Sequence, residues 1–183
     1  MKILILSLSA SDPSLSRLAA LEFRKLLEAI SVPASFVDIR TLPPIWVDKR
    51  DLEELPPEYA RLAKLTEESA GVAMFFPIHC YTMSGAAKAI TEVIGDALTR
   101  KPVAVVSAAG SLRSHLAVRD LMASMIFEQE TICFPKTVQL TETDLSKAKK
   151  LNAPMRKRLR TLASEFVDFT KALAPFIKKH PAT

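Results

Sequence analysis

The stretch "SLSASDPSLSR", Ser7 to Arg17, places five serines in eleven residues directly after the apolar run "KILIL". Helical periodicity begins where the serines end, so their hydroxyls cluster at a helix N-terminus. Unpaired backbone N–H groups and the helix dipole favour an anion at such a place. Serine hydroxyls add neutral donors, so the loop can hold a phosphate without a lysine. The same residues also have a purely structural use, because Ser14 or Asp12 can cap the helix.

Two further stretches carry polar or unhindered groups. In "FPIHCYTMSGAAKAI", His79 and Tyr81 either flank a planar ring or pack beneath their loop. Gly85 beside Ser84 permits a tight turn into the next helix. Lys88 faces solvent or seats a partner subunit. In "SAAGSLRSHL", Ala108, Ala109 and Gly110 carry no bulk, so a ring can lie against the backbone and receive its N–H groups. Arg113 brings positive charge toward a ring edge or a phosphate. His115 reads as a structural residue in the first turn of the next helix. Trp46, the single tryptophan, either covers the cleft or meets a partner.

Several chemistries lack their residues. The chain has no GxxxxGK[ST] phosphate loop and no GxGxxG after its first strand, and only four glycines, Gly71, Gly85, Gly95 and Gly110. No acidic residue ends the first strand, and there is no GxSxG nucleophile elbow. Cys80 and Cys133 are not in a CxxC pair, which argues for free thiols over a zinc site or a redox dithiol. No apolar stretch reaches the roughly 18 residues that span a bilayer. The start of the chain reads as a strand rather than a signal peptide, so the expectation is a cytoplasmic protein without a membrane partner.

The formal charge of +5 is unevenly placed. Residues 136–183 hold eleven Lys/Arg against four Asp/Glu, and the first 135 hold fourteen against sixteen. The excess therefore belongs to the last quarter, above all "MRKRLR" at 155–160. It reads as the solvated face of a terminal helix, and no nucleic-acid partner is expected.

The elements that must position these loops follow from periodicity. Apolar runs at Lys2–Leu8, Gly71–Phe76 and Pro102–Ser107 predict strands buried on both faces. Ala34–Ile39 predicts another strand, and Thr131–Phe134 a fifth that extends over Lys136–Leu140 if it passes Pro135. Ser14–Ile30 is helical, with a stripe of Leu15, Ala19, Phe23, Leu26 and Ile30. Further helices are predicted at Glu58–Ser69, Ser84–Ala97, after Arg113 to Phe127, and Pro154–Leu173. Strand and helix alternate over one domain of 183 residues, with about 175–183 a frayed tail. The expected fold is α/β, a three-layer sandwich with a five-stranded parallel sheet in the flavodoxin-like order 2-1-3-4-5. Ligands of such sheets bind beyond the carboxyl ends of the strands at the switch point. This singles out the loops Ser9–Ser16, Pro77–Ser84 and Ser107–Arg113.

Taken together, "ILILSLSASDPSLSRLAA", "VDIRTLP", "FFPIHCYTMSGAAKAI" and "KPVAVVSAAGSLRSHLA" resemble the NADPH-dependent FMN reductase family over roughly residues 1–140. The stretches "SGAAKA" and "AAGSLRSHLA" look most like flavin reductases that supply reduced flavin to two-component monooxygenases. Other relatives reduce quinones, azo dyes or metal oxyanions. The resemblance implies FMN as cofactor and NADPH or NADH as co-substrate. It also implies a small-molecule electron acceptor and a homodimer or homotetramer.

By the same resemblance, Ser9, Ser14 and Ser16 take the hydroxyl positions around the FMN phosphate. Ser11 stands where many relatives carry an arginine that helps hold NADPH, with Arg17 or Arg113 as substitutes. Pro77, Ile78, His79, Cys80 and Tyr81 border the flavin ring. Ser107, Ala108, Ala109, Gly110 and Arg113 lie at its pyrimidine side. Leu8 replaces a glycine common in relatives, and Gly110 stands alone where many have two. Hydride transfer needs no side-chain acid or base, so no catalytic side chain is expected. The rival reading is a flavodoxin-like electron carrier without nicotinamide turnover.

Overall fold

A computed structural model describes residues 1–48 and 50–180. Twelve regular elements follow one another: β1 (Ile3–Ser7), α1 (Leu15–Ala29), β2 (Ala34–Asp38), α2 (Pro57–Glu68), β3 (Gly71–His79), β4 (Thr82–Met83), α3 (Gly85–Val93), β5 (Pro102–Ala108), α4 (Ala117–Gln129), β6 (Ile132–Cys133), β7 (Val138–Leu140) and α5 (Ala153–Lys179). The main sheet runs β2-β1-β3-β5-β6, all parallel, with β7 also on β5. This is the expected flavodoxin-like order.

The strands are apolar on both faces because both faces are covered. Ile3 and Ile5 of β1 pack under Ala19, Phe23 and Leu27 of α1 and Leu159, Leu162 and Phe166 of α5. Leu4 and Leu6 point the other way, onto Tyr59 and Leu62 of α2, Ile90 of α3, and Leu121 and Met125 of α4. All five β1 residues are buried, as period-two alternation between two helical layers requires.

The structure redraws four boundaries. The fifth strand is two strands: β6 pairs with Pro102–Val103 and β7 with Val106–Ala108. Pro135 between them has no N–H to give the ladder. β3 does not stop at Phe76 but continues through Pro77 to His79, then turns back as β4. The third helix ends at Val93, and a 3-10 turn at Asp96–Leu98 follows Gly95. His115 lies outside α4, closing a 3-10 turn at Leu112–Ser114, with Nδ1 3.3 Å from the Leu112 carbonyl.

The tail expected from residue 175 is helical through Lys179. The carbonyl of His180 accepts from Arg100 Nη1 at 3.1 Å, and its ring lies 4.9 Å from that of Phe176. The last three residues of that expected tail lie outside the described residues.

Gly71 opens β3 at the tightest packing point. A Cβ there would sit 3.0 Å from Thr170 Oγ1, 3.1 Å from Phe166 Cζ and 3.3 Å from the Pro102 carbonyl oxygen. Gly71→Val is therefore expected to overpack the joint between β3 and α5, at a cost of about 1–3 kcal/mol. The urea midpoint should fall with an unchanged m-value. An unshifted midpoint would show that α5 moves away freely.

Candidate functional site

The carboxyl ends of β1, β3 and β5 open onto one solvent-facing cleft of about 220 Å³. Its first wall is the serine loop. Ser9, Ser11, Ser14 and Ser16 all line it, together with Pro13 and Leu15. Ser14 is the N-cap of α1: its Oγ accepts from the Arg17 N–H at 3.2 Å and lies 3.1 Å from Ser16 Oγ. Ser9 Oγ accepts the Ser11 N–H at 3.3 Å, which folds the loop back over the end of β1. Capping and cradle are thus the same geometry. One hydroxyl closes the helix, while the next N–H groups of its first turn have no intrahelical acceptor. Among the described residues no lysine or arginine lines this cleft, so the donors an anion seated here would meet are hydroxyls and the N–H groups of a helix N-terminus.

The second wall is Pro77, Ile78 and His79 at the end of β3. The chain then reverses through a two-residue turn, with Ile78 opposite Met83 and His79 opposite Thr82. Its central residues, Cys80 (φ 49°) and Tyr81 (φ 64°), are both left-handed, as the tight primed hairpin turn demands. That turn favours Asn-Gly, so a cysteine and a tyrosine hold it at a conformational cost. Thr82 Oγ1 donates to Asp120 Oδ2 at 2.8 Å and ties the hairpin to α4. Cys80 and Tyr81 are exposed at the hairpin tip, outside the cleft lining.

The third wall is Ala108, Ala109 and Gly110. A Cβ on Gly110 would meet nothing within 4 Å, so this wall is low and open. The Ala109 N–H does not face the cleft as a free donor. It donates to the Leu140 carbonyl at 2.9 Å, because β7 lies alongside. Ser107 is fully buried below the wall and its Oγ has no hydrogen-bond partner among the described residues. Arg113 sits exposed on the 3-10 turn beyond, away from the cleft lining.

The sequence reading missed Glu142, whose carboxylate-bearing residue lines the cleft just after β7. No local signal marks it, since its place depends on how the broken fifth strand resumes.

Beside the serine loop stands an ionic cluster at the end of β2. Asp38 is nearly buried and accepts from Arg17 Nε at 2.6 Å and Arg40 Nη2 at 2.9 Å. Burial pushes the Asp38 carboxyl up, but the hydrogen bonds from Arg40 and Arg17 outweigh it and hold the group below the usual carboxylate range. Arg17 is therefore bound to Asp38 rather than free to replace an arginine at Ser11. Arg40 also reaches Asp12 of the serine loop, Nη1 to Oδ1 3.4 Å. Elsewhere, burial pushes the Cys133 thiol up to about 11, which leaves it protonated and unreactive at neutral pH. Lys88 pairs with Glu92 along α3.

Comparison with known proteins places this geometry. The family described as NADPH-dependent FMN reductase matches residues 1–144. None of the curated proteins matches the chain. Among solved structures, an oxidoreductase from Corynebacterium diphtheriae superposes with a TM-score of 0.75 at 19% identity, over 93% of this chain and 97% of that one. An NADH:FMN oxidoreductase gives 0.76 at 17%, over 90% and 87%. A flavoenzyme NAD(P)H:(acceptor) oxidoreductase from Paracoccus denitrificans gives 0.76 at 18%, over 93% and 97%. At these identities the structural likeness establishes the fold.

Proposed function

The chain belongs to the NADPH-dependent FMN reductase family, and on that premise we propose that the cleft at the ends of β1, β3 and β5 seats FMN. The protein is a flavin-dependent NAD(P)H oxidoreductase. One observation carries the site assignment. Ser9, Ser11, Ser14 and Ser16 meet at the N-terminus of α1 on the same cleft as Pro77–His79 and Ala108–Gly110. Hydroxyls and a helix N-terminus suit a phosphate, and the low wall of Ala108, Ala109 and Gly110 leaves room for a flat ring.

When bound, FMN supplies the redox centre between a reduced nicotinamide nucleotide and the acceptor. The chain's own work is to bind and orient. The serine loop anchors the phosphate end. Ile78 and His79 on one side and Ala108 to Gly110 on the other would hold the ring between them. Glu142 lines the same cleft just after β7. The acceptor in this reading is free flavin, a quinone or another small molecule. The protein works as a single cytoplasmic domain in a homodimer or homotetramer. Ile126 and Phe127 support self-association, being 43% and 88% exposed on α4.

The test is direct. Purified protein is mixed with FMN and its visible spectrum recorded, then NADPH or NADH is added without air. Bleaching of bound flavin, followed by many turnovers in air, is the expected result, with a dimer or tetramer by light scattering. Tight FMN binding with no reduction by either nucleotide would favour the electron carrier instead. That no lysine or arginine lines the cleft among the described residues is the observation on that side.

A further inference from the structure

A pocket of about 340 Å³ lies where the start of β7 meets the first third of α5. It shares no lining residue with the cleft at the ends of β1, β3 and β5. Lys136, Thr137 and Val138 line it from the β7 side, and Lys157, Arg158 and Thr161 from α5. Lys157 and Thr161 stand one helical turn apart, so they share a face of α5. The other half of the pocket comes from far upstream in sequence. Pro135 interrupts the strand, and the chain resumes as β7 against Val106–Ala108, which delivers Lys136 and Thr137 beside the helix.

The protein does not balance the charge of this pocket. Lys136 pairs with Glu165, and both side chains are nearly half exposed, so that pair is weak. Neither Lys157 nor Arg158 has an acidic partner among the described residues. Three cations thus stand against one carboxylate, an excess of two positive charges. The hydroxyls are uncommitted as well. Thr66, Thr91 and Thr170 each donate at 2.8 Å to a carbonyl of the preceding turn of their own helix. Thr161 is the remaining threonine within the α-helices, and its hydroxyl makes no hydrogen bond among the described residues, nor does that of Thr137.

We propose that this pocket binds a small molecule bearing a phosphate monoester. Such a group carries a charge of about −1.5 to −2 at neutral pH, which matches the excess of two. Arg158 offers a planar fork that takes two phosphate oxygens at once. Lys136 and Lys157 add compact charges, and the two threonine hydroxyls supply donors for the third oxygen. A carboxylate, with one charge and two oxygens, leaves part of this set unused. The volume is at the lower end of small-molecule sites, enough for the phosphate and a short carbon body. No aromatic side chain lines the pocket among the described residues, so nothing there stacks on a nucleic-acid base. The proposal does not depend on the reading of the neighbouring cleft as the FMN site.

An amide chemical-shift titration tests it and locates the site. Protein kept in excess FMN, which occupies the serine cradle, is titrated with methyl phosphate at neutral pH. Saturable shifts centred on the amides of Thr137, Val138, Lys157, Arg158 and Thr161 are expected. Dimethyl phosphate, a monoanion of similar shape, should bind at least 10-fold more weakly. Arg158→Gln should weaken methyl phosphate about 10-fold, as loss of a charge-assisted fork implies. Lys171→Gln, further along α5 and outside the pocket, should change it less than about 2-fold. Glu165→Gln frees Lys136 and should tighten binding several-fold, which keeps the test decisive if Arg158→Gln folds poorly. Shifts that never saturate, or that centre on the serine loop, overturn the proposal. So do equal losses in Arg158→Gln and Lys171→Gln, since a diffuse positive field then does the binding. Binding to phosphatidate-containing vesicles without saturable binding of the free ester places the phosphate on a lipid and overturns the small-molecule assignment.

Discussion

Ser14→Asp is expected to separate the stability of α1 from the binding of FMN. Aspartate caps a helix as well as serine does, and a negative charge near the N-terminus suits the helix dipole. Thermal stability should therefore hold or rise. The same carboxylate would occupy the cradle where the phosphate charge is to sit. Two unit charges about 5 Å apart repel by about 3 kcal/mol at an effective dielectric of 20. Solvent in the open cleft reduces this, so a loss of FMN affinity on the order of 100-fold is expected. Riboflavin, which lacks the phosphate, should bind the variant and the parent within about 3-fold of each other. Equal losses for both ligands, or none for either, would remove the phosphate from the serine loop. Flavin fluorescence titration gives both affinities, and a thermal melt gives the stability.

The second large effect is expected at Asp38→Asn. The buried carboxylate orients Arg17 and Arg40 and accepts the Arg40 backbone N–H at 3.2 Å. Removing one member of a buried pair costs about 3–5 kcal/mol. The two arginines are 34% and 24% exposed and recover some hydration, so about 2–3 kcal/mol is expected at pH 7. For a chain of this length that lowers Tm by roughly 5–10 °C. The pH dependence has a definite sign. Asp38 has a folded pKa below its ordinary 3.8, so its ionic contribution is complete above that value. The contribution is lost as pH falls through the lower folded pKa. Urea midpoints of parent and variant should thus differ at pH 7 and converge as pH falls well below 3.8, through the lowered folded pKa. A gap that persists undiminished in acid would mean that Asp38 acts by packing rather than by charge.

Much of the fold was legible because its signals are local. Uninterrupted apolar runs such as Ile3–Leu6 and Val103–Val106 require cover on both faces, and both are fully enclosed. The helical stripe after Ser14 and its cap are likewise written within a few residues. The serine loop belongs to the same class, since its hydroxyls and the helix start are neighbours in sequence. Once the sheet order follows from strand alternation, the three loops are committed to one end of the sheet. Ten of the fourteen candidate residues line the cleft together: Ser9, Ser11, Ser14, Ser16, Pro77, Ile78, His79, Ala108, Ala109 and Gly110 account for the serine, β3 and β5 walls, with Gly110 at the rim.

The tertiary structure decided what depends on pairing between distant residues. Whether Cys80 and Tyr81 border the cleft depends on the antiparallel pairing of β4 with β3, which carries them out to a hairpin tip. Whether the Ala109 N–H is free depends on Leu140, thirty-one positions later, whose carbonyl takes it. Glu142 reaches the cleft only because β7 resumes the ladder after Pro135. Arg17 is spent because β2 delivers Asp38 beside it. Composition and periodicity therefore determined the layers and the phosphate-ready loop, because each is encoded over one helical turn or one strand pleat, while the strand order followed from the alternation of strands and helices. Which donors remain free, and which charges are already paired, was decided only when the sheet aligned its strands, because a hydrogen bond across the ladder leaves no trace in local sequence.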